Sequence, residues 1–392
     1  MNKDYSDFLN ILKLHIFNKA IDNSISCNWE NMFKLGNIHN VMGMMYVSLK
    51  ENKTISQNLK SAMQKKFLVT SAYGFMQERV IASITKELNK NNIPHILIKG
   101  GVIRNYYPYP ELRTMGDIDI LVRDFSGIDD IMSCLGYKSQ EIIEGEHIFE
   151  NGKSTVEIHT KLGSMNFKEN VDFDRYFENI FQKAVSPNNN CSYELTPENH
   201  IIFMLVHMAK HFHNEGCGIR MVMDLALTID KFNSKLNWDY ILNEISKLHL
   251  SRFSKNILKI TCKLFDIKLD FLKDYKLNNE LFESIVSYIL EGGVFGFENN
   301  SHLDTTLLRI EEEKGIINKL LAIKKWLFPS SKEMRNLCSW FNKAPVILLP
   351  LAWLDRDIKL IFNKEKISKL FLGGENRKKI SKTVNSLGLY DK

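Results

Sequence analysis

Asp117 and Asp119 stand two apart in Asp117-Ile118-Asp119-Ile120-Leu121-Val122. This β-branched, aliphatic run reads as a strand, whose period of two turns both carboxylates to one face, about 7 Å apart. Ile118, Ile120 and Val122 then share the opposite face and belong to a core. Neighbouring carboxylates repel each other and persist only at a solvated edge or where a cation holds them. Magnesium suits such a pair, because it takes oxygen ligands from one or two carboxylates and completes its shell with water and phosphate oxygens. A third acid, Glu157, lies between Val156 and Ile158 on a second strand and would extend the site to two ions. Asp117, Asp119 and Glu157 are the candidate catalytic and metal-ligating residues.

A glycine pair comes just before them. Ile93-Pro94-His95-Ile96-Leu97-Ile98-Lys99 reads as a short strand stopped by Gly100-Gly101. A turn of this kind between strand and helix offers backbone N–H groups to phosphate oxygens, and Lys99 and Arg113 add positive charge on either side. Each feature alone is common. Glycine pair, arginine, Asp-x-Asp strand and acid on a later hairpin strand, in that order, are specific.

Further along, His207 and His211 are four apart and share a helix face. Met208-Ala209 follow His207, so the zinc-protease pattern H-E-x-x-H is absent. On a helix as apolar as Ile201, Ile202, Phe203, Leu205 and Val206 imply, packed and hydrogen-bonded histidines are the expectation, with lining a pocket as the functional alternative. Arg220 and Asp224, also four apart, read first as an intrahelical ion pair and second as pocket wall. Tyr106, Tyr107 and Tyr109 flank prolines and read as loop packing before base stacking.

These residues need a frame to hold them. Helical periodicity runs from Tyr5 to about Asn91, with the last helix expected at 70–89. A helix is expected at 126–135, and Asn151-Gly152 suits a hairpin turn between strands at 146–150 and 154–160. From Thr196-Pro197-Glu198 onward the pattern is helical almost to the end. The expected fold is α+β: a small mixed-sheet core at 70–165, embedded between an N-terminal helical region at 1–69 and a large C-terminal helical region at 166–392.

The 392 residues suffice for two or three structural units. A composition with 44% hydrophobic and 25% charged residues excludes disordered and collagen-like chains. The net charge of +6 permits phosphate contacts without marking a nucleic-acid binder. Six scattered cysteines without a C-x-x-C pair read as reduced, mostly buried thiols. The polar N-terminus resembles no signal peptide, and the most apolar run, at 344–354, is too short and proline-broken to span a bilayer. That run reads as buried or interfacial, the basic tail at 375–379 as solvated, and the chain as cytoplasmic.

The sequence resembles the nucleotidyltransferase superfamily with the DNA polymerase β-like catalytic fold. The residues that carry this are Leu97-Ile98-Lys99-Gly100-Gly101, Tyr106-Tyr107-Pro108, Leu112-Arg113, Asp117 to Val122 and Val156-Glu157-Ile158-His159. It is similar to the bacterial branch with an LKG…R…DIDLLV…DLH pattern, and through it to nucleotidyltransferase-type toxins of defence systems. Thr196-Pro197-Glu198, His207, Lys210-His211, Arg220 and Asp224 extend the likeness, which covers about 70–230 well and the C-terminal helices loosely. It implies a nucleotidyltransferase core in which Asp117, Asp119 and Glu157 hold Mg2+ or Mn2+. Lys99, Gly100, Gly101 and Arg113 would meet a nucleoside triphosphate, with His159, His207, His211, Arg220 and Asp224 around the pocket.

Two departures matter. Gly100-Gly101 replaces the usual Gly-Ser, removing one hydroxyl contact to the triphosphate and leaving Lys99 or Arg113 to compensate. Glu157 stands where aspartate is commoner, which leaves open whether it is metal ligand or base. The resemblance implies transfer of a nucleoside monophosphate to a hydroxyl acceptor, a small molecule or peptide rather than tRNA. A toxin-like enzyme modifying tRNA or a protein, and a silent nucleotide-binding scaffold, are the alternatives. Base, acceptor and oligomeric state are not legible.

Overall fold

The computed structural model describes residues 1–143, 146–162, 167–168, 171–188, 190–214, 216–294, 324, 328–331, 334, 338–341, 344–362 and 384–391. Four helices open the chain: α1 (Lys3–Ile16), α2 (Trp29–Ile38), α3 (Met42–Leu49) and α4 (Gln57–Lys90). Side chains of Asn2, Asn28 and Ser56 cap α1, α2 and α4 by accepting first-turn N–H groups. The helix expected to open near Thr70 therefore begins at Gln57, behind its serine cap, and the boundary drawn between 69 and 70 falls inside it. Gly74 does not break α4. It lets the helix press on the turn at Glu111, whose carbonyl oxygen would lie 1.9 Å from a Cβ there.

The sheet follows: β1 (His95–Leu97), β2 (Asp117–Val122), β3 (Lys138–Ile143), β4 (Glu146–Glu150), β5 (Thr155–His159), β6 (Ala184–Val185) and β7 (Ser192–Leu195). Between them lie α5 (Gly100–Ile103), α6 (Ile128–Cys134) and α7 (Phe173–Phe177). The strand order is β3-β4-β5-β2-β1-β7-β6. β1 runs antiparallel to β2, β2 parallel to β5, and β4–β5 is the expected hairpin around Asn151-Gly152. Gly152 takes a left-handed φ of 77° there, and Asn151 Oδ1 accepts the N–H groups of Lys153 and Ser154. The sequence reading missed β3 and β6, the two edge strands, and β7 between β6 and β1. β7 pairs parallel with β1, so the sheet takes a strand from beyond residue 165.

One sheet face, with Ile118, Ile120, Val122, Val156 and Ile158, packs on Ile84 and Leu88 of α4 and Ile128 and Met132 of α6. The other, with Ile96, Ile98 and Leu121, joins a larger core shared by the N-terminal helices and the C-terminal ones. These are α8 (Pro197–Asn214), α9 (Ile219–Phe232), α10 (Trp238–Lys247), α11 (Ser251–Phe265) and α12 (Asn279–Gly292), with α13 (Leu349–Phe362) beyond. A mixed sheet held between helices makes the fold α+β, as expected.

One expectation is corrected. Of the six cysteines only Cys217 and Cys338 are buried, and Cys134 is exposed. In the apolar run, Ala352 is buried, but Val346, Ile347, Leu351 and Leu354 are exposed. The basic tail at 375–379 lies outside the described residues. Among the described residues, no helix is long and apolar enough to cross a membrane.

Candidate active site

Strand register builds the site. Asp119 and Glu157 are direct partners across the parallel pair β2–β5, and Asp117 faces Thr155 one step earlier on the same side. β1 ends beside them: the Ile98 N–H donates to the Asp119 carbonyl at 3.2 Å, which sets Lys99 against the acids. Lys99 takes a positive φ of 52° with ψ at −131°, a sparsely populated backbone region costing a non-glycine residue about 1–3 kcal/mol. Its ammonium is repaid by Asp119, whose Oδ1 lies 2.5 Å from Nζ. The same oxygen meets His159 Nε2 at 3.0 Å. Asp119 is thus a buried carboxylate whose balancing cation comes from within the chain.

The three acids respond differently to this crowding. Burial and the charges of Asp117 and Asp119 push the Glu157 carboxyl up to about 9. Burial also raises Asp117, helped by Asp119, against the opposing pull of Lys99 and a hydrogen bond with Glu157. Burial works on Asp119 in the same sense, but the Lys99 ammonium and the His159 hydrogen bond outweigh it and hold the carboxyl below the usual range. Asp119 is therefore the firmest anion of the cluster, and Glu157 the acid most inclined to keep its proton.

Among the described residues, the metal-type donor atoms that lie within 4.8 Å of one another belong to Asp119, Glu157 and His159. Asp117, expected with Asp119 as a ligand pair, stands outside that compact group and reaches it through Glu157. His159 joins because it follows Glu157 by two on β5 and points the same way. That spacing was visible in the sequence, which nevertheless suggested only a pocket role for it.

The basic residues divide in an unexpected way. Arg113, expected to meet phosphate, is buried and forks onto Asp224: Nε donates to Oδ1 at 2.9 Å and Nη2 to Oδ2 at 2.6 Å. Its Nη1 donates to the Thr114 carbonyl at 2.6 Å. Tyr107 adds a hydroxyl bond to Asp224 Oδ1 at 2.7 Å. The Arg220–Asp224 ion pair expected from their spacing does not form; Asp224 pairs with Arg113 instead. Arg220 instead donates to the Thr114 carbonyl at 2.9 Å, with its pKa brought down to about 10 by burial and by Arg113. This network ties α9 to the loop that leads into β2.

Gly101 is not a free donor either, since its N–H bonds the Ile98 carbonyl at 3.2 Å. Gly100 serves close approach: a Cβ there would lie 2.5 Å from Met115 Cγ. His207 and His211 bond each other, Nε2 to Nε2 at 3.1 Å. Burial, then the charges of Lys99 and Lys210, take His211 down to about 4. Burial, His211 and Lys99 hold His207 well below its ordinary value. The pair is hydrogen-bonded, as its apolar helix suggested, and lies near enough to Lys99 to feel its charge. Tyr107 is buried, whereas Tyr109 is exposed and stacks on His15 at 5.9 Å.

Carboxylates on adjacent parallel strands, with a lysine from a glycine turn beside them, are the arrangement expected of a nucleotidyltransferase core. The chain belongs to a family of uncharacterised nucleotidyltransferases, whose family model matches residues 26–266. The match runs from just before α2 to the end of α11, so it takes in the sheet and helices on either side of it in sequence. No curated protein and no solved structure matches the chain.

Proposed function

We propose that this chain transfers a nucleoside monophosphate from a nucleoside triphosphate to an acceptor hydroxyl, with Asp117, Asp119 and Glu157 around a divalent cation. The observation that carries the reading is the direct pairing of Asp119 with Glu157 across β2 and β5, with Lys99 delivered to them by β1. The donor set fits: oxygens converge on one sheet face, and the cation paired with Asp119 is a side chain, Lys99. Bound there, a divalent ion neutralises triphosphate charge and makes a coordinated hydroxyl more acidic.

The chain's own residues do the rest. Lys99 turns from Asp119 Oδ1 to a phosphate oxygen when the nucleotide enters. Glu157, paired with Asp119 across the strands, is the carboxylate placed to take the acceptor's hydroxyl proton. The acceptor oxygen forms a bond to the α-phosphorus, and the bond from that phosphorus to the bridging oxygen breaks. Pyrophosphate leaves with the electron pair. The Arg113–Asp224–Tyr107 network positions the β2 strand without touching the nucleotide. A small molecule or peptide acceptor, in a cytoplasmic setting, suits a net charge of only +6 better than tRNA does.

The test is calorimetric titration of non-hydrolysable analogues of ATP, GTP, CTP and UTP, with magnesium or manganese and with chelator. Ion-dependent binding of a nucleotide, lost in Asp117→Ala/Asp119→Ala, is expected. Binding that ignores chelator would support a silent scaffold instead.

A further inference from the structure

His159 has its two ring nitrogens set between acids on three strands. Nε2 lies 3.0 Å from Asp119 Oδ1 and 3.6 Å from Glu157 Oε2, while Nδ1 lies 3.6 Å from Glu146 Oε1. The ring is buried, and Nδ1 has no hydrogen-bond partner. Glu146 is the register partner of His159 across β4–β5, so the sheet itself aims that carboxylate at the ring.

We propose that His159 is a metal ligand, and that Asp119, Glu157 and His159 form a mixed nitrogen–oxygen site selective for first-row transition ions over magnesium. The proposal rests on the cation-assisted reading above and specifies its ion class. Donors roughly 2.0–2.2 Å from an ion lie about 3.0 Å apart in cis octahedral positions and about 3.5 Å apart in a tetrahedron. The 3.0 and 3.6 Å separations from Nε2 already match that span. A ligating histidine usually gives its other N–H to a carboxylate, which fixes the ring and strengthens the ligand. Glu146 stands where that carboxylate belongs, a few tenths of an ångström beyond bonding distance, and Nδ1 waits unpartnered toward it.

Selectivity follows from the donor. Magnesium takes oxygens and sheds water reluctantly, whereas imidazole favours transition ions. Lys99, a tethered cation on the same Asp119 oxygen, competes with any ion that arrives.

The probe is MnCl2 alone, titrated into the full chain and followed by electron paramagnetic resonance. Manganese is the weakest of the first-row series, so it is the strictest member to try against magnesium. One manganese site per chain is expected, with nitrogen hyperfine coupling and resistance to a tenfold excess of magnesium. His159→Gln should abolish the coupling and lower manganese affinity by at least the roughly 10–100-fold that losing even a supporting partner costs. Glu146→Gln should keep the coupling and weaken the ion within that range. Lys99→Met should tighten it. His207→Gln/His211→Gln should keep the coupling, since that pair lies outside the donor group.

Absence of nitrogen coupling in the wild type, or displacement of manganese by equimolar magnesium, overturns the proposal without any variant having to fold. Ion-dependent nucleotide binding without nitrogen coupling would sink the histidine ligand and spare the transferase reading. Nitrogen coupling without nucleotide binding would do the reverse.

Discussion

Arg113 and Asp224, 111 residues apart in sequence, form a buried two-pronged ion pair between the loop entering β2 and helix α9. The fork places two N–H donors on two carboxylate oxygens, a geometry lysine cannot reproduce. Removing one partner leaves the other charged and buried, at a cost of about 3–5 kcal/mol. Asp224→Ala should therefore lower the unfolding free energy by that much in guanidinium titrations. Arg113→Lys should recover little of it.

Lys99 and Asp119 make the second prediction. Asp119→Ala removes the anion that holds Lys99 and the oxygen that both Lys99 and His159 meet. Nucleotidyl transfer should fall by at least about 10²–10³-fold, the loss typical of removing one preorganised electrostatic contact. Circular dichroism should remain native-like, because Ile118 and Ile120 still pack the core face of β2. Transfer within threefold of wild type would show that the chemistry lies elsewhere.

Acid should loosen the junction between the helical layers. His39 is fully buried, and its Nε2 lies 3.0 Å from the Leu290 carbonyl of α12. Burial takes its pKa from 6.5 down to about 4. The folded chain then binds fewer protons than the unfolded one between those values, so stability is full above 6.5 and lost as pH falls toward 4. The loss attributable to this site is on the order of 3 kcal/mol. Thermal melts should drop between pH 7 and 5, and a stable His39→Gln variant should show a shallower drop.

Gly74 sets two effects of opposite sign against each other. Alanine is the better helix former by about 1 kcal/mol. A Cβ, however, would meet the Glu111 carbonyl oxygen at 1.9 Å, and relieving backbone overlap of that kind costs about 1–3 kcal/mol. Gly74→Ala should therefore be destabilising on balance in urea unfolding. A stabilised variant would mean that the Tyr109–Leu112 turn yields easily.

By itself the sequence determined the chemistry-bearing strands. Alternation in 117–122 and 154–159 is local, and a period of two settles which side chains share a face without reference to the rest of the chain. The acids, the hairpin at Asn151-Gly152 and the α+β class were legible for that reason. Tertiary structure decided which partners those side chains meet. Arg113 and Arg220 look equivalent as cations near a pocket, and helical spacing favours Arg220 for Asp224. Only the docking of α9 on the loop before β2 gives both carboxylate oxygens to Arg113. Likewise, the register of β5 against both β2 and β4 sets His159 between Asp119 and Glu146. Register and docking depend on contacts between segments far apart in the chain, and no local pattern encodes them.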